Sequence, residues 1–230
     1  MKALLALGLM ALLAQDLPGA KPVSKPEWMK RHDGFKAEAA KGECDLLFLG
    51  DSITDGWRGQ KAIFEAAFGA YKPLNFGISG DRTQHVLWRI QNGEMEGIKP
   101  KVVVLMIGTN NIGQSKDPEK PESAIAGIQA IVQEVHKRSA ATKVLLLGVF
   151  PRGEKPDNAF RAQIKEINAA VAKLDDGGKT VEFLDIGEKF VQPDGTISKE
   201  IMKDFLHLTE KGYQIWADAI KEPLAKLMKG

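Results

Sequence analysis

Two places in the chain carry side chains that could act together in acyl transfer: Ser52, and the pair Asp204 and His207. Ser52 follows an apolar run at residues 46–49 and a glycine turn at 50–51, which predicts a hydroxyl just beyond the carboxyl end of a buried strand. An aspartate three residues before a histidine can reach the ring nitrogen Nδ1, so that Nε2 is left to accept a proton from a serine. The pattern predicts a serine nucleophile, a histidine base and an orienting carboxylate.

Each of these residues also has an ordinary structural role. Asp51 and Ser52 are both residue types that commonly cap the amino end of a helix. The three other histidines fall in predicted helices, where a packing or helix-dipole role is expected: His32, His85 and His136. The catalytic interpretation is favoured because the serine and the fourth histidine supply complementary parts of one reaction. We expect Asp51 to hold the turn through nearby backbone N–H groups.

The serine turn is one of three glycine turns that follow successive predicted strands. The other two lie at residues 79–81 and 108–111. In a parallel sheet, turns at the carboxyl ends of strands meet at one edge. Together they would offer a hydroxyl, backbone N–H groups and side-chain amides. Acyl transfer needs such a set, because fixed donors must face the oxygen that becomes negative in the tetrahedral intermediate.

The elements that must position these turns follow from the apolar periodicity. Apolar runs predict strands over residues 45–49, 72–78, 102–107, 143–150 and 180–186. Helical spacing predicts a helix from residue 26 to a stop at Gly42, and further helices over 57–68, 82–92, 122–138, 158–174 and 209–228. Strands that alternate with helices of this length indicate βαβ units and a mostly parallel sheet.

Composition is that of one globular α/β domain. The 230 residues are 43% hydrophobic and 27% charged, which allows a single large core. The 32 basic and 30 acidic residues give a net charge of +2, so no strong field would draw the chain to nucleic acid or to an anionic membrane. Cys44 is the only cysteine, which excludes an intramolecular disulfide, and no Cys/His pattern predicts a metal site.

The first residues are typical of a secretory signal. Lys2 precedes an unbroken run of apolar residues and glycine over 3–14, which is shorter than the roughly 20 residues that span a membrane. We expect a signal peptide over 1–20, cleaved between Ala14 and Ala20, a leader over 21–27 and one domain over 28–230. The mature protein would be secreted or periplasmic and without a membrane span. The alternatives are an uncleaved amino-terminal anchor and an incorrectly assigned start.

Residues 108–115 also resemble a phosphate-binding loop, because they follow a strand and end Gly113-Gln114-Ser115. Such a loop carries lysine at the position that Gln114 occupies, and that lysine reaches the phosphates. No helix is predicted to begin directly after it, and the chain contains no G-x-G-x-x-G. A nucleotide-binding protein is therefore a poor alternative.

Four short blocks resemble, in order, those of the SGNH (GDSL-type) hydrolase family. They are Gly50-Asp51-Ser52-Ile53, Gly80, Gly108-x-Asn110 and Asp204-x-x-His207. Longer strings at 75–78, 85–89, 151–156 and 204–209 resemble the catalytic subunits of intracellular platelet-activating-factor acetylhydrolase. The resemblance extends from roughly Trp28 to the last helix. Position 111 carries asparagine where many family members carry aspartate, which we interpret as a subfamily feature.

The resemblance implies a fold and a set of roles. The fold would be a three-layer α/β/α, flavodoxin-like arrangement with a central five-stranded parallel sheet. Ser52 would be the nucleophile, His207 the base and Asp204 its orienting acid. The N–H groups of Ser52 and Gly80 and the side-chain amide of Asn110 would form the oxyanion hole.

The sequence gives weaker indications of the substrate and of possible partners. Ile53, Thr109 and Leu206 flank the proposed catalytic residues, so we expect them to line a pocket for a small acyl group such as acetyl. An O-acetyl ester of a carbohydrate suits an exported protein, and an acetylated lipid suits the resemblance. No cofactor is implied, and the subunits resembled form dimers, which makes a homodimer an expectation. The alternative from another class is a catalytically silent carbohydrate-binding module on the same fold.

Overall fold

The computed structural model describes residues 16–113 and 116–229. Its centre is a five-stranded sheet in the order β2-β1-β3-β4-β5, with every neighbouring pair parallel. The strands are β1 (Leu46–Gly50), β2 (Pro73–Asn75), β3 (Val102–Met106), β4 (Lys143–Leu147) and β5 (Val181–Leu184). This is the flavodoxin-like strand order, which confirms the predicted fold.

Helices connect the strands as predicted, with small differences in their bounds. The α-helices are α1 (Met29–Ala39), α2 (Ser52–Asp55), α3 (Lys61–Phe68), α4 (Thr83–Arg89), α5 (Thr109–Gly113), α6 (Pro121–Arg138), α7 (Ala159–Val171) and α8 (Glu210–Lys229). Short 3-10 helices lie at Pro18–Ala20, Pro26–Trp28, Gly56–Gly59, Gly69–Tyr71, Ala172–Leu174 and Gly187–Phe190, and a π-helical turn at Ile90–Glu94. Within the described ranges, no helix combines the length and the apolar character that crossing a membrane requires.

Alternate residues of each central strand face two separate cores. Leu47 and Leu49 of β1 pack against the layer that contains α1, α4, α6 and α7. Leu46 and Phe48 pack on the opposite face, where Trp216 of α8 is completely buried. Burial of each such side chain contributes roughly 1.5–3 kcal/mol. The strands are therefore apolar on both faces because helices cover both faces, and the fold has three layers.

The segment before α1 lies against the domain. Residues 1–15, which hold most of the predicted signal peptide, are outside the described part of the chain. The Gly19 N–H donates to Ser123 Oγ at 2.7 Å, and Thr83 Oγ1 donates to the Gly19 carbonyl at 2.9 Å. Further along, the Val23 N–H donates to the Gln84 carbonyl at 3.2 Å. The segment thus packs against α4 and α6 before the main chain turns into the first helices.

The strand order also creates the place for a site. β1 lies between β2 and β3, so the connections that leave β1 and β3 run to opposite sides of the sheet. The carboxyl ends of these two strands are followed by Ser52 and by Thr109 and Asn110 respectively. In open α/β sheets the crevice at such a switch point is where ligands bind.

Candidate active site

Ser52 is the first residue of α2, directly after the β1 turn. Asp51 caps this helix, and its Oδ1 accepts a hydrogen bond of 2.9 Å from the Ile53 N–H, as predicted for this residue. Gly50 precedes them where a Cβ would lie 2.1 Å from Thr54 Oγ1, so a larger residue would displace the turn. The sharp turn leaves the Ser52 side chain partly exposed at the sheet edge.

The Ser52 hydroxyl faces the His207 ring. Ser52 Oγ lies 2.9 Å from His207 Nε2, and His207 Nδ1 lies 2.7 Å from Asp204 Oδ2. A carboxylate only accepts hydrogen bonds, so Nδ1 carries the ring proton and Nε2 is free to accept from the serine. The structure therefore brings these three predicted residues together in the order that nucleophilic catalysis requires.

The loop that carries Asp204 and His207 is held by its own backbone. Phe205 adopts a left-handed conformation with φ of 61°, which is unusual for a residue other than glycine. Both the His207 and Leu206 N–H groups donate to Asp204 Oδ1, at 2.7 Å and 3.2 Å. Burial alone would raise the pKa of the Asp204 carboxyl, but the hydrogen bonds from His207 and the His207 charge lower this pKa below its usual value.

The two predicted oxyanion turns touch each other. Gly80 has a φ of 77°, a conformation that glycine adopts without strain. The Asn110 side-chain amide donates to the carbonyl of Asp81, the residue after Gly80, at 2.9 Å. Beside it, Asn111 is fully buried, and its Oδ1 accepts from the Thr83 N–H at 3.1 Å. Asn110 and Asn111 thus tie the turn after β3 to the turn that contains Gly80.

The three residues predicted to line an acyl pocket have different environments. Ile53 and Thr109 are each only 1% exposed, and Ile53 is part of the core on the α8 side of the sheet. Leu206 is partly buried beside His207. The Thr109 carbonyl and Oγ1 both accept from Arg152 Nη1, at 3.3 Å and 3.2 Å. Contact between these side chains and an acyl group stays a prediction.

Two buried acids lie near these turns. Burial raises the pKa of the Asp51 carboxyl to about 7, against hydrogen bonding from Ile53. Burial likewise raises the pKa of Asp81 to about 6, although the neighbouring positive charges of Arg89 and Lys25 act to lower it. Asp51 Oδ2 has no hydrogen-bond partner among the described residues. A carboxyl in such a setting titrates near neutral pH.

Sequence reasoning missed a buried chain of charges beneath the Gly80 turn. Asp81 accepts from Arg89 Nε at 3.0 Å, Arg89 also donates to Glu94, and Glu94 Oε1 lies 3.0 Å from His32 Nδ1. Lys25 joins this cluster at 3.8 Å from Asp81. The only local signal was the density of polar residues in predicted helices, and that signal does not show which residues pair.

Two of the other histidines, His32 and His85, have structural partners. His85 is buried, and its Nδ1 accepts from the Arg82 N–H at 2.9 Å, which caps the start of α4. Burial lowers the pKa of His85 to about 3, helped by the charges of Lys25, Arg82 and Arg89, so the ring is neutral. Over residues 16–113 and 116–229, no three His, Cys, Asp or Glu side chains are grouped closely enough to hold a metal ion.

Comparison with known proteins gives matches over most of the chain. A model of the GDSL-like Lipase/Acylhydrolase family matches residues 48–215. Platelet-activating factor acetylhydrolase IB subunit alpha1 of Homo sapiens is 39% identical over 220 residues, which cover 93% of this chain and 92% of that protein. The structure of a GDSL-like lipase from Bacteroides thetaiotaomicron has a TM-score of 0.69 at 24% identity, over 86% of this chain and 97% of the other. A mutant of an acetylxylan esterase from Geobacillus stearothermophilus has a TM-score of 0.61 at 20% identity, over 79% and 93%.

Proposed function

This chain belongs to the GDSL-like lipase/acylhydrolase family, and we propose that it is a serine esterase that removes small O-acyl groups, chiefly O-acetyl, through an acyl-enzyme on Ser52. The observation that carries the proposal is the pair of contacts from Ser52 through His207 to Asp204, at 2.9 Å and 2.7 Å. The family supplies the reaction class, ester hydrolysis, and the geometry supports the assignment of roles.

Acylation begins when Ser52 Oγ attacks the carbonyl carbon of the ester. His207 Nε2 takes the hydroxyl proton as the new C–O bond forms, and Asp204 stabilises the resulting imidazolium. The tetrahedral intermediate then expels the alcohol, which takes the proton from His207. Deacylation repeats these steps with water as the nucleophile, so that the acid and the free serine are released.

The negative charge of the tetrahedral oxygen needs fixed donors. The N–H groups of Ser52 and Gly80 and the side-chain amide of Asn110 are the proposed set. Asn110 has two amide hydrogens, and its bond to the Asp81 carbonyl uses one of them, so the other can face the substrate. Since these donors belong to packed turns, little reorganisation is needed as charge develops.

A small acyl group is supported by the burial of two flanking residues. Ile53 and Thr109 are each 1% exposed, so these two side chains offer almost no surface to a long acyl chain. Two acetyl esters are candidates. The relative at 39% identity is a subunit of a platelet-activating factor acetylhydrolase, which favours an acetylated lipid. An acetylated carbohydrate is the substrate that an exported enzyme would meet.

Rates on a matched panel test the acyl-group and substrate proposals. Values of kcat/KM for p-nitrophenyl acetate and p-nitrophenyl octanoate should favour acetate, and a clear preference for octanoate would contradict the small-acyl proposal. Acetylated xylo-oligosaccharide and a short-chain glycerophospholipid with an acetyl group at the second carbon, kept below its micellar concentration, should then differ in rate. The faster of the two assigns the substrate class.

We further propose that the chain is exported, on the basis of the apolar run at 3–14. Gly19 is hydrogen-bonded to Ser123 and Thr83, so cleavage early in the predicted window, near Ala14, would keep these bonds in the mature protein. Amino-terminal sequencing of protein recovered from the periplasm or the medium tests this. Recovery of only the intact chain inside the cell would contradict it.

A further inference from the structure

We propose that Lys25 is a positioning residue for the oxyanion hole, because its ammonium group holds the backbone of Gly80 from a segment that precedes the residues matched by the family model. Lys25 lies in the predicted leader, 55 positions before Gly80, whereas the family model begins at residue 48. The inference rests on the proposed function, since it concerns the donor set assigned to that reaction.

The contact itself is direct. Lys25 Nζ donates to the Gly80 carbonyl at 2.8 Å, and the Lys25 side chain is only 19% exposed. The ammonium group also lies on the side of Gly80 where another residue would carry its side chain, because a Cβ built on Gly80 would lie 3.7 Å from Lys25 Nζ. The ammonium group therefore occupies the space beside the turn as well as bonding to it.

Gly80 has no side chain that would restrict its backbone dihedral angles. Its φ of 77° lies in a region that glycine enters freely and can also leave freely. The two consecutive carbonyls of this turn have separate anchors: Lys25 binds that of Gly80, and Asn110 binds that of Asp81 at 2.9 Å. These two contacts restrain the two peptide planes that follow Gly80, and thereby the φ and ψ angles of Gly80, which relate those planes to the plane of its own N–H. The proposed mechanism directs this N–H at the substrate oxygen.

The charge of Lys25 acts on the same oxygen. The N and O atoms of one residue are about 3 Å apart by covalent geometry, so the ammonium lies within about 6 Å of the Gly80 N–H. A cation at that distance stabilises negative charge that develops beside the Gly80 N–H. Burial lowers the pKa of Lys25, and the Asp81 carboxylate acts in the opposite direction.

Loss of Lys25 should affect catalysis more than folding. Asp81 keeps its closer ion pair with Arg89, at 3.0 Å, when Lys25 is removed, so no buried charge is left alone. Lys21 offers a matched control on the same segment, because its ion pair with Asp16 joins two exposed side chains. Neither Lys21 nor Asp16 belongs to the proposed active site.

The test compares Lys25→Met, Lys25→Arg and Lys21→Met by kcat, KM and Tm, with p-nitrophenyl acetate as substrate. We expect Lys25→Met to lower kcat by about tenfold, less than the 100-fold or more lost with an oxyanion donor itself. KM should stay within about twofold, because the developing charge exists only in the transition state. Lys25→Arg should recover most of the rate, and Lys21→Met should match the wild type.

Two results would overturn the inference: a kcat for Lys25→Met within twofold of the wild type, or a loss of kcat that parallels a fall in Tm and is not recovered by arginine. Lys25→Ala, which also removes both the donor and the charge, is measured against the same thresholds if Lys25→Met folds poorly. Ser52→Ala distinguishes a failure of the positioning role from a failure of the proposed function. An inactive Ser52→Ala beside a fully active Lys25→Met would refute the positioning role alone, and an active Ser52→Ala would refute the proposed function.

Discussion

Ser52 Oγ and His207 Nε2 lie 2.9 Å apart although 155 positions separate the two residues in the chain. A second contact holds the same two regions together, because the Tyr213 hydroxyl in α8 donates to the Ile53 carbonyl in α2 at 2.7 Å. Tyr213 is buried, so this bond is shielded from water. The start of α8 is therefore fixed to the start of α2. Ser52 begins α2 and His207 lies just before α8, so the distance between these two side chains is held as well.

Replacing Asp204 with asparagine should lower kcat by at least about 100-fold. The amide can donate to Nδ1, which favours the ring tautomer whose Nε2 carries the proton and cannot accept one from Ser52. The effect should be smaller than for a fully buried acid, because the Asp204 side chain is 49% exposed. Steady-state rates with p-nitrophenyl acetate measure it, and Asp157→Asn, at an exposed aspartate, is the control. A loss below about threefold would rule out an orienting role.

Asn110→Ala should lower kcat by about 100- to 1,000-fold with little change in KM, as loss of one oxyanion donor does elsewhere. Asn110 also donates to the Asp81 carbonyl, so some of the loss would come from a shifted Gly80 turn. Asn92→Ala provides the control, because Asn92 is an exposed asparagine that likewise donates to a backbone carbonyl, that of Trp88. Equal rates for the two variants would remove Asn110 from the donor set.

Much of the fold could be predicted because its signals are local. The apolar runs of β1 and β3 appear within one residue of their predicted bounds, since strands buried on both faces are apolar at every position. β2 was predicted over 72–78 and covers Pro73–Asn75, yet the N–H groups of Phe76 and Ile78 still donate to β1 carbonyls. The turn predicted at 108–111 begins a short helix instead, because Thr109 starts α5.

Contacts between distant residues could not be predicted in the same way. Ser52 and the Asp204–His207 pair were found because each lies in a short stretch with a recognisable chemical pattern. The bond between Lys25 and Gly80 has no such pattern, since a lone lysine in a polar segment suggests only a solvated surface. The buried pairing of Asp81 with Arg89 is similar, because the sequence shows two opposite charges eight positions apart but does not show that both are buried. Packing decides these contacts.

Asp51→Asn should change how stability depends on pH. In the folded protein the pKa of Asp51 is raised from 3.8 to about 7, because the carboxyl is completely buried. The folded state therefore binds this proton more tightly, and the stability it contributes is present below about pH 4 and lost as pH rises through about 7. Asparagine keeps the acceptor for the Ile53 N–H but does not titrate.

The measurement is the free energy of unfolding in urea for wild type and Asp51→Asn at about pH 5 and about pH 8. One pKa unit corresponds to about 1.4 kcal/mol, so the variant should gain at least about 1 kcal/mol relative to wild type over this interval. Other titrating groups, Asp81 among them, are present in both proteins and largely cancel in the comparison. A constant difference between the two proteins would contradict the raised pKa.

Gly19→Ala and Gly34→Ala should change stability in opposite directions. A Cβ at Gly19 would lie 2.0 Å from the Ser123 carbonyl oxygen, so alanine forces the amino-terminal segment away and should cost about 1–3 kcal/mol. A Cβ at Gly34, an exposed position within α1, meets nothing within 4 Å, and alanine should stabilise the helix by about 0.5–1 kcal/mol. Equal unfolding free energies for the two variants would mean that the segment does not pack as described.

The most direct test of the central claim is covalent capture of the nucleophile. Diethyl p-nitrophenyl phosphate transfers its phosphoryl group to an activated serine, and mass spectrometry of the whole protein and of its peptides locates the product. We predict one phosphoryl group per chain, on the peptide that contains Ser52, with loss of esterase activity in proportion to labelling and no label on Ser52→Ala. Labelling of another residue, or an unlabelled enzyme that keeps its activity after long exposure, would contradict the account.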